Sequence, residues 1–298
     1  MSVACVPRLP SLSMWSRALR LAIAFPVHKL NRPGTDTVLL SYWSAAAGLP
    51  TFRSASFSTT TRLGEKMTDG SYKQFCPVAM AAETLCTRWT ILLVRELIAG
   101  STRFNDLRRG VPRMSPALLS KRLRDLESAG IVERTAVAGE SGIYEYKLTK
   151  AGQELVSVIG AIGNWGQRWI ESTPSLENLD PELLMWDMRR NLNTDPMPQR
   201  RSVILFSYPE LTAARRRYWL IVEPGEDVDL CSVDPGFDVD LYVNSDLRTM
   251  TAIWMGLETV AESKQDSRLI MTGESDLEQA MQSWLGLSPF ATVEKLVA

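Results

Sequence analysis

At 298 residues the chain is long enough for two domains with separate cores, and 33 Lys and Arg against 34 Asp and Glu leave a net charge of −1. Basic residues nevertheless crowd the region before Arg124 while acids collect after Glu223, the asymmetry of a nucleic-acid-binding part joined to a part of another kind. The cysteines Cys5, Cys76, Cys86 and Cys231 lack metal-ligand spacing and His28 is the only histidine, which argues against a zinc finger and against His-based catalysis.

The longest apolar run, about Leu19–Val27, is broken by Arg20 and Pro26, too short to span a membrane. Sparse cysteine is compatible with a reducing cytoplasm, the expected location. Residues 1–66 are rich in Ser, Thr and Arg, carry only Asp36 and Glu65 as acids, and lack a sustained hydrophobic period. That composition is that of a disordered or cleaved leader, or of a reading frame opened too early with Met67 the true start.

Helices are expected over Val78–Cys86 and over Trp89–Ile98, the second carrying Trp89, Leu93 and Leu97 on one side and stopped by Gly100. Phe104, Leu107 and Val111 give the next short helix its apolar face, and Gly110 with Pro112 ends it. Ser115 then offers an N-cap oxygen, and Pro116 sits where its missing N–H costs nothing. Along the helix that follows, Leu119, Leu123 and Leu126 recur at helical spacing, whereas Ala117, Ser120, Lys121, Arg124 and Glu127 turn to the other side. Two short helices around a tight turn, edged with Arg103, Arg108, Arg109, Arg113, Lys121, Arg122 and Arg124, describe a helix-turn-helix; the competing reading is a solvated basic helix pair.

The β-rich runs Ile131–Thr135 and Ile143–Leu148 flank Gly139 and Gly142, as a hairpin wing would. Thr149 caps a long helix to about Glu171, on which Leu155, Val158, Ile162, Trp165 and Trp169 form a stripe. Such a stripe is either plain core or a pairing surface, and two Trp on so small a unit favour the latter. A linker spans 172–179 around Ser172-Thr173-Pro174-Ser175.

Beyond it, a helix is expected at Glu182–Arg190, strands at Val203–Phe206, Tyr218–Val222, Val228–Val233 and Val239–Val243, a helix at Ser245–Met255, a strand at Leu269–Thr272 and a closing helix at Asp276–Leu285. Strands clustered between helices mean α+β.

Cys76-Pro77-Val78, Arg88-Trp89-Thr90, Arg95-Glu96-Leu97, Arg103-Phe104-Asn105-Asp106-Leu107, Ser115-Pro116-Ala117-Leu118-Leu119-Ser120, Gly130-Ile131-Val132-Glu133-Arg134 and Tyr146-Lys147-Leu148-Thr149 stand in the order and spacing of the HxlR family of winged helix-turn-helix regulators. The resemblance covers about Cys76–Trp169, and the chiefly prokaryotic character of that family favours Met67 as the start. More loosely, Asp238–Val243, Asp246–Gly256 and Leu269–Gly273 with Trp284-Leu285 resemble the sterol-carrier-protein-2-like fold. Together these imply a mainly α winged helix-turn-helix domain over 67–171 and an α+β domain, a sheet covered by helices around an apolar tunnel, over 180–298.

The function expected is that of a DNA-binding transcriptional regulator, without cofactor, metal, catalytic residue or membrane partner. The alternative is a lipid-binding or interaction protein that uses the winged helix only for dimerisation. A homodimer would lay its Ser115–Leu126 helices in successive major grooves of a double-stranded operator. Ser115, Ala117, Ser120, Lys121 and Arg124 are expected at base edges, Arg103, Arg113 and Arg122 on phosphates, and Gly139 and Gly142 near the minor groove. The resemblance assigns the 155–169 stripe to dimerisation. An apolar ligand would lie among Met185, Met188, Met250, Trp254, Met255 and Met271. Cys76 stands where some family members carry a sensing thiol, although Ala79 occupies the place of a second one.

Overall fold

The computed structural model describes residues 71–171 and 176–297. Residues 1–66, expected as a leader or as sequence before the true start, and the Ser172–Ser175 stretch of the expected linker lie outside them.

The first unit runs α1 (Pro77–Leu85), α2 (Thr90–Ile98), α3 (Phe104–Gly110), α4 (Pro116–Ser128), β1 (Val132–Ala136), β2 (Tyr144–Leu148) and α5 (Lys150–Trp169). β1 and β2 pair antiparallel from Val132 opposite Leu148 to Ala136 opposite Tyr144, and a bridge from Arg103 to Glu145 ties the hairpin to the start of α3. Leu93 and Val94 of α2, Leu107 of α3, and Leu119, Leu123 and Leu126 of α4 converge in one core with Ile159 of α5. This is a winged helix. Trp89, expected as the first residue of α2, is instead its N-cap in a left-handed conformation, φ 78°.

In the second unit, α6 (Pro181–Asn191) precedes β3 (Ser202–Ser207), β4 (Arg217–Val222) and β5 (Asp229–Cys231). β6 (Leu241–Ser245), α7 (Leu247–Trp254), α8 (Val260–Gln265), β7 (Leu269–Gly273), α9 (Ser275–Gln279) and α10 (Met281–Trp284) complete it. The sheet order is β5-β4-β3-β6-β7. β3, β4 and β5 form an antiparallel meander, after which the chain returns across the sheet to lay β6 parallel to β3. β3 is therefore central and buried along nearly its whole length, while β6 alternates buried and exposed residues.

Three expectations shift for local reasons. Asp246 accepts a hydrogen bond from Thr249 N at 2.8 Å, so α7 starts at Leu247 and Ser245 stays in β6. The strand expected at Val239–Val243 begins only at Leu241, although Asp240 just before it still donates its N–H to Val203 O at 2.9 Å and accepts from Val203 N through its carboxylate at 2.7 Å. The closing helix is two helices, meeting at Ala280, which ends one and caps the next.

The residues expected to line a ligand cavity fall in and around the core of this unit. Met185, Met188 and Met250 have no exposed surface and pack with Ile204, Phe206 and Trp284; Trp254 joins the same core, and Met255 and Met271 flank it. An open groove of about 430 Å³ lies elsewhere, lined by Arg217, Tyr242, Asn244, Ile270 and Thr272 among others. Among the described residues no helix is long and apolar enough to cross a membrane.

Candidate nucleic-acid interface

The local chemistry of α4 decides which of its faces is free. Ser115 caps it, its hydroxyl accepting from Leu118 N at 3.3 Å, with Pro116 in the first turn. Leu119, Leu123 and Leu126 are sealed against the core, and the opposite side presents Ser115, Ala117, Lys121 and Arg124 to solvent with Ser120 half-buried. Neither Lys121 nor Arg124 has a hydrogen-bond or ion-pair partner among the described residues. Two cations one turn apart, uncompensated among the described residues on a helix whose other face is sealed, leave local positive charge open to solvent.

Arg113, in the turn before α4, is exposed and donates a hydrogen bond to Asn178 Oδ1 at 3.4 Å. The structure places two other expected phosphate ligands differently. Arg103 forms a two-pronged ion pair with Glu140 at the wing, at 3.2 and 2.8 Å, and so fixes the hairpin to α3. Arg122 bonds Asp125 at 2.8 Å and the Arg88 carbonyl at 3.3 Å, and its side chain is 16% exposed. Both cations already have a carboxylate partner within the chain, which a count of basic residues does not reveal.

The wing tip closes through Val137 N to Ile143 O, at 3.0 Å. Gly139 and Gly142 take φ of 81° and 77°, values that glycine adopts without steric cost. Arg134, which periodicity did not single out, lies over the Tyr144 ring at 4.5 Å, a contact that only the β1–β2 register brings together.

α5 is capped by Thr149, which accepts from Gly152 N at 3.2 Å and donates to Gly130 O at 2.6 Å. Of the expected stripe, Leu155 turns into the core beside Ile159, whereas Val158, Ile162, Trp165 and Trp169 stay exposed, Trp165 at 60%. α1 buries no residue, and Phe75 just before it is 99% exposed, with Val78 and Met80 also exposed. Cys76 is half-buried at the N-cap of α1 and Cys86 is exposed at its other end.

A family model described as HxlR-like helix-turn-helix matches residues 84–174. The HTH-type transcriptional regulator YvaP of Bacillus subtilis (strain 168) is 35% identical over 99 residues, which are 33% of this chain and 92% of YvaP. The chain belongs to the HxlR-like helix-turn-helix family. An HTH-type transcriptional regulator of Methanothermobacter thermautotrophicus is 29% identical over 106 residues, 36% of this chain and 79% of that protein. Among solved structures, the redox regulator HypR in its reduced form shares 30% identity over 34% of this chain and 98% of its own, with a TM-score of 0.30. The HxlR-like match ends at residue 174, so the five-stranded sheet is an addition to the family's segment. The relatives are named as HTH-type transcriptional regulators, a non-enzymatic family.

Proposed function

We propose that this HxlR-like protein is a sequence-specific regulator of transcription that binds double-stranded DNA as a homodimer in the cytoplasm. The observation that carries the reading is the pair of uncompensated cations, Lys121 and Arg124, on the solvent side of a capped helix whose apolar side is sealed. In this reading Ser115, Ala117, Ser120, Lys121 and Arg124 face base edges and Arg113 faces phosphate. The wing tip at Gly139 and Gly142 approaches the minor groove, held by Arg103 and Glu140.

The pairing surface comprises Val158, Ile162, Trp165 and Trp169 of α5 with the exposed apolar residues of α1. An apolar patch of that extent on a small unit fits a partner of the same shape. The domain division at 67–171, 172–179 and 180–298 belongs to the same proposal, supported by the separate cores on the two sides of the linker. The second domain, a mixed sheet under helices, is assigned to the sterol-carrier-protein-2-like kind with an apolar small molecule as its effector; binding would have to open the methionine core.

Selecting bound sequences from random DNA with purified protein tests the central claim. Lys121→Ala and Arg124→Ala should each weaken the selected operator, by about 1–3 kcal/mol for a base contact, or with a salt slope lower by about one for a phosphate contact. Wild-type affinity in both variants would refute the recognition helix.

A further inference from the structure

The sheet unit grips the winged helix at two separate places. At the first, α6 lies against α3, the leading helix of the helix-turn-helix. Glu96 of α2 is fully buried there, and its carboxylate is shared by guanidinium groups from both units. Arg190 of α6 donates from Nη1 to Oε2 at 2.7 Å and from Nη2 to Oε1 at 3.0 Å. Arg95 donates to Oε1 at 2.6 Å and to the Gly110 carbonyl, at the end of α3, at 3.0 Å. Asp187, one turn back on α6, orients Arg190. Alongside, the Trp186 ring is flanked by Arg109 of α3 at 5.3 Å and Arg189 at 4.9 Å.

At the second place, the segment after α10 straps the end of α5. The Phe290 ring occupies the space a side chain at Gly163 would need, since a Cβ there would stand 2.2 Å from it. Leu296 N donates to Arg168 O at 2.9 Å. Lys295 donates to Ile170 O at 2.6 Å, setting a cation at the helix end where carbonyls lack partners. The strap leaves Val158, Ile162, Trp165 and Trp169 exposed.

These two grips fall on the elements that the reading above assigns to DNA recognition and to pairing. We propose that the sheet unit is a brace that fixes the angle between the helix-turn-helix and α5, and thereby sets operator affinity without touching DNA. The inference rests on the DNA-binding reading. In a two-fold dimer the recognition helices must reach grooves about 34–36 Å apart, so a small rotation of α3 and α4 against the pairing helix misplaces both at once. Whatever binds the sheet unit acts on DNA only as far as it favours the gripped or the released arrangement.

The test uses the full chain with Arg190→Gln at the clasp and, in parallel, Phe290→Ala at the strap, which leaves the buried carboxylate untouched. Hydrogen exchange reads the brace directly. The amides of α3 in the first variant and of the last two turns of α5 in the second should exchange at least about tenfold faster, with helix content retained. Operator affinity should change by about fivefold or more in the same variants. Unchanged exchange in both would overturn the brace. Faster exchange with unchanged operator affinity, while Lys121→Ala still weakens binding, would overturn the coupling and spare the DNA reading. If Lys121→Ala and Arg124→Ala also bind as the parent does, the DNA reading fails and the proposal falls with it.

Discussion

Gly110 ends α3 against the Glu96 carboxylate, and a Cβ added there would lie 1.8 Å from Oε2 and 2.0 Å from Cδ. In an open helix, glycine to alanine stabilises by about 0.5–1 kcal/mol because less backbone entropy is lost on folding. Gly110→Ala should do the reverse. The new methyl must push aside a fully buried carboxylate that holds Arg190 and Arg95 in place, and breaking a buried ion pair costs about 3–5 kcal/mol. Some realignment of the long side chains recovers part of this, so the expected net loss is about 2–4 kcal/mol. A double-mutant cycle isolates the cause: with Glu96→Ala the space is free, and the same Gly110→Ala change should now stabilise by about 0.5–1 kcal/mol. Urea unfolding, read as a shift in midpoint at constant slope, measures both. An equal loss in the two backgrounds, or a loss below about 1 kcal/mol in the parent, would refute the reasoning.

Two further outcomes are expected. The proposed α5 pairing face predicts that the parent chain sediments as a dimer and that Trp165→Asp sediments as a monomer with helix content intact, since Trp165 is 60% exposed; a monomeric parent, or a stable dimer in that variant, would rule out the α5 pairing face. Burial alone would raise the pKa of Glu96, but the charges and hydrogen bonds of Arg190 and then Arg95 outweigh it and hold the carboxyl below its ordinary value. Its contribution to stability is thus complete above the unfolded-chain value of about 4.3 and is lost as pH falls through the lower folded value. Glu96→Gln should flatten that acid limb of a melting-temperature profile, and an unaltered limb would show that other carboxylates carry it.

The winged helix was legible because its signals are local. Ser115-Pro116, the Leu119, Leu123 and Leu126 spacing, and the paired glycines of the wing each act within a few residues. What failed to show in the sequence was partnership at long range. Arg103 and Glu140 are 37 residues apart, and nothing in either's neighbourhood says that the arginine is paired with the wing. Leu155 and Val158 read as one stripe, yet a packed helix splits such a stripe between its own core and its outer face. In the second unit the strands could be placed, but the parallel pairing of β3 with β6 could not, because it depends on where the chain crosses back. The methionines illustrate the same limit: their flexibility suits a cavity lining and a dense core equally, and only the packing tells the two apart.

Glu96 also explains how a second unit can be held by so few residues. It belongs to the Arg95-Glu96-Leu97 motif of the family segment, while Arg190 lies beyond the end of the family match. Arg95 bonds only Oε1. Arg190 is the one hydrogen-bond donor to Oε2 among the described residues, so with α6 packed over it that buried oxygen depends on the sheet unit for its partner. A buried acceptor left open is costly, more so when charged, and filling it offsets part of that desolvation cost at a single contact. The winged helix thus presents a carboxylate half satisfied from within, and a guanidinium offered by an adjoining domain at the right height completes it. Because the same carboxylate occupies the space beside Gly110 where a Cβ would stand, a Glu96 side chain released from Arg190 is free to shift against the end of α3, directly before the turn that leads into α4.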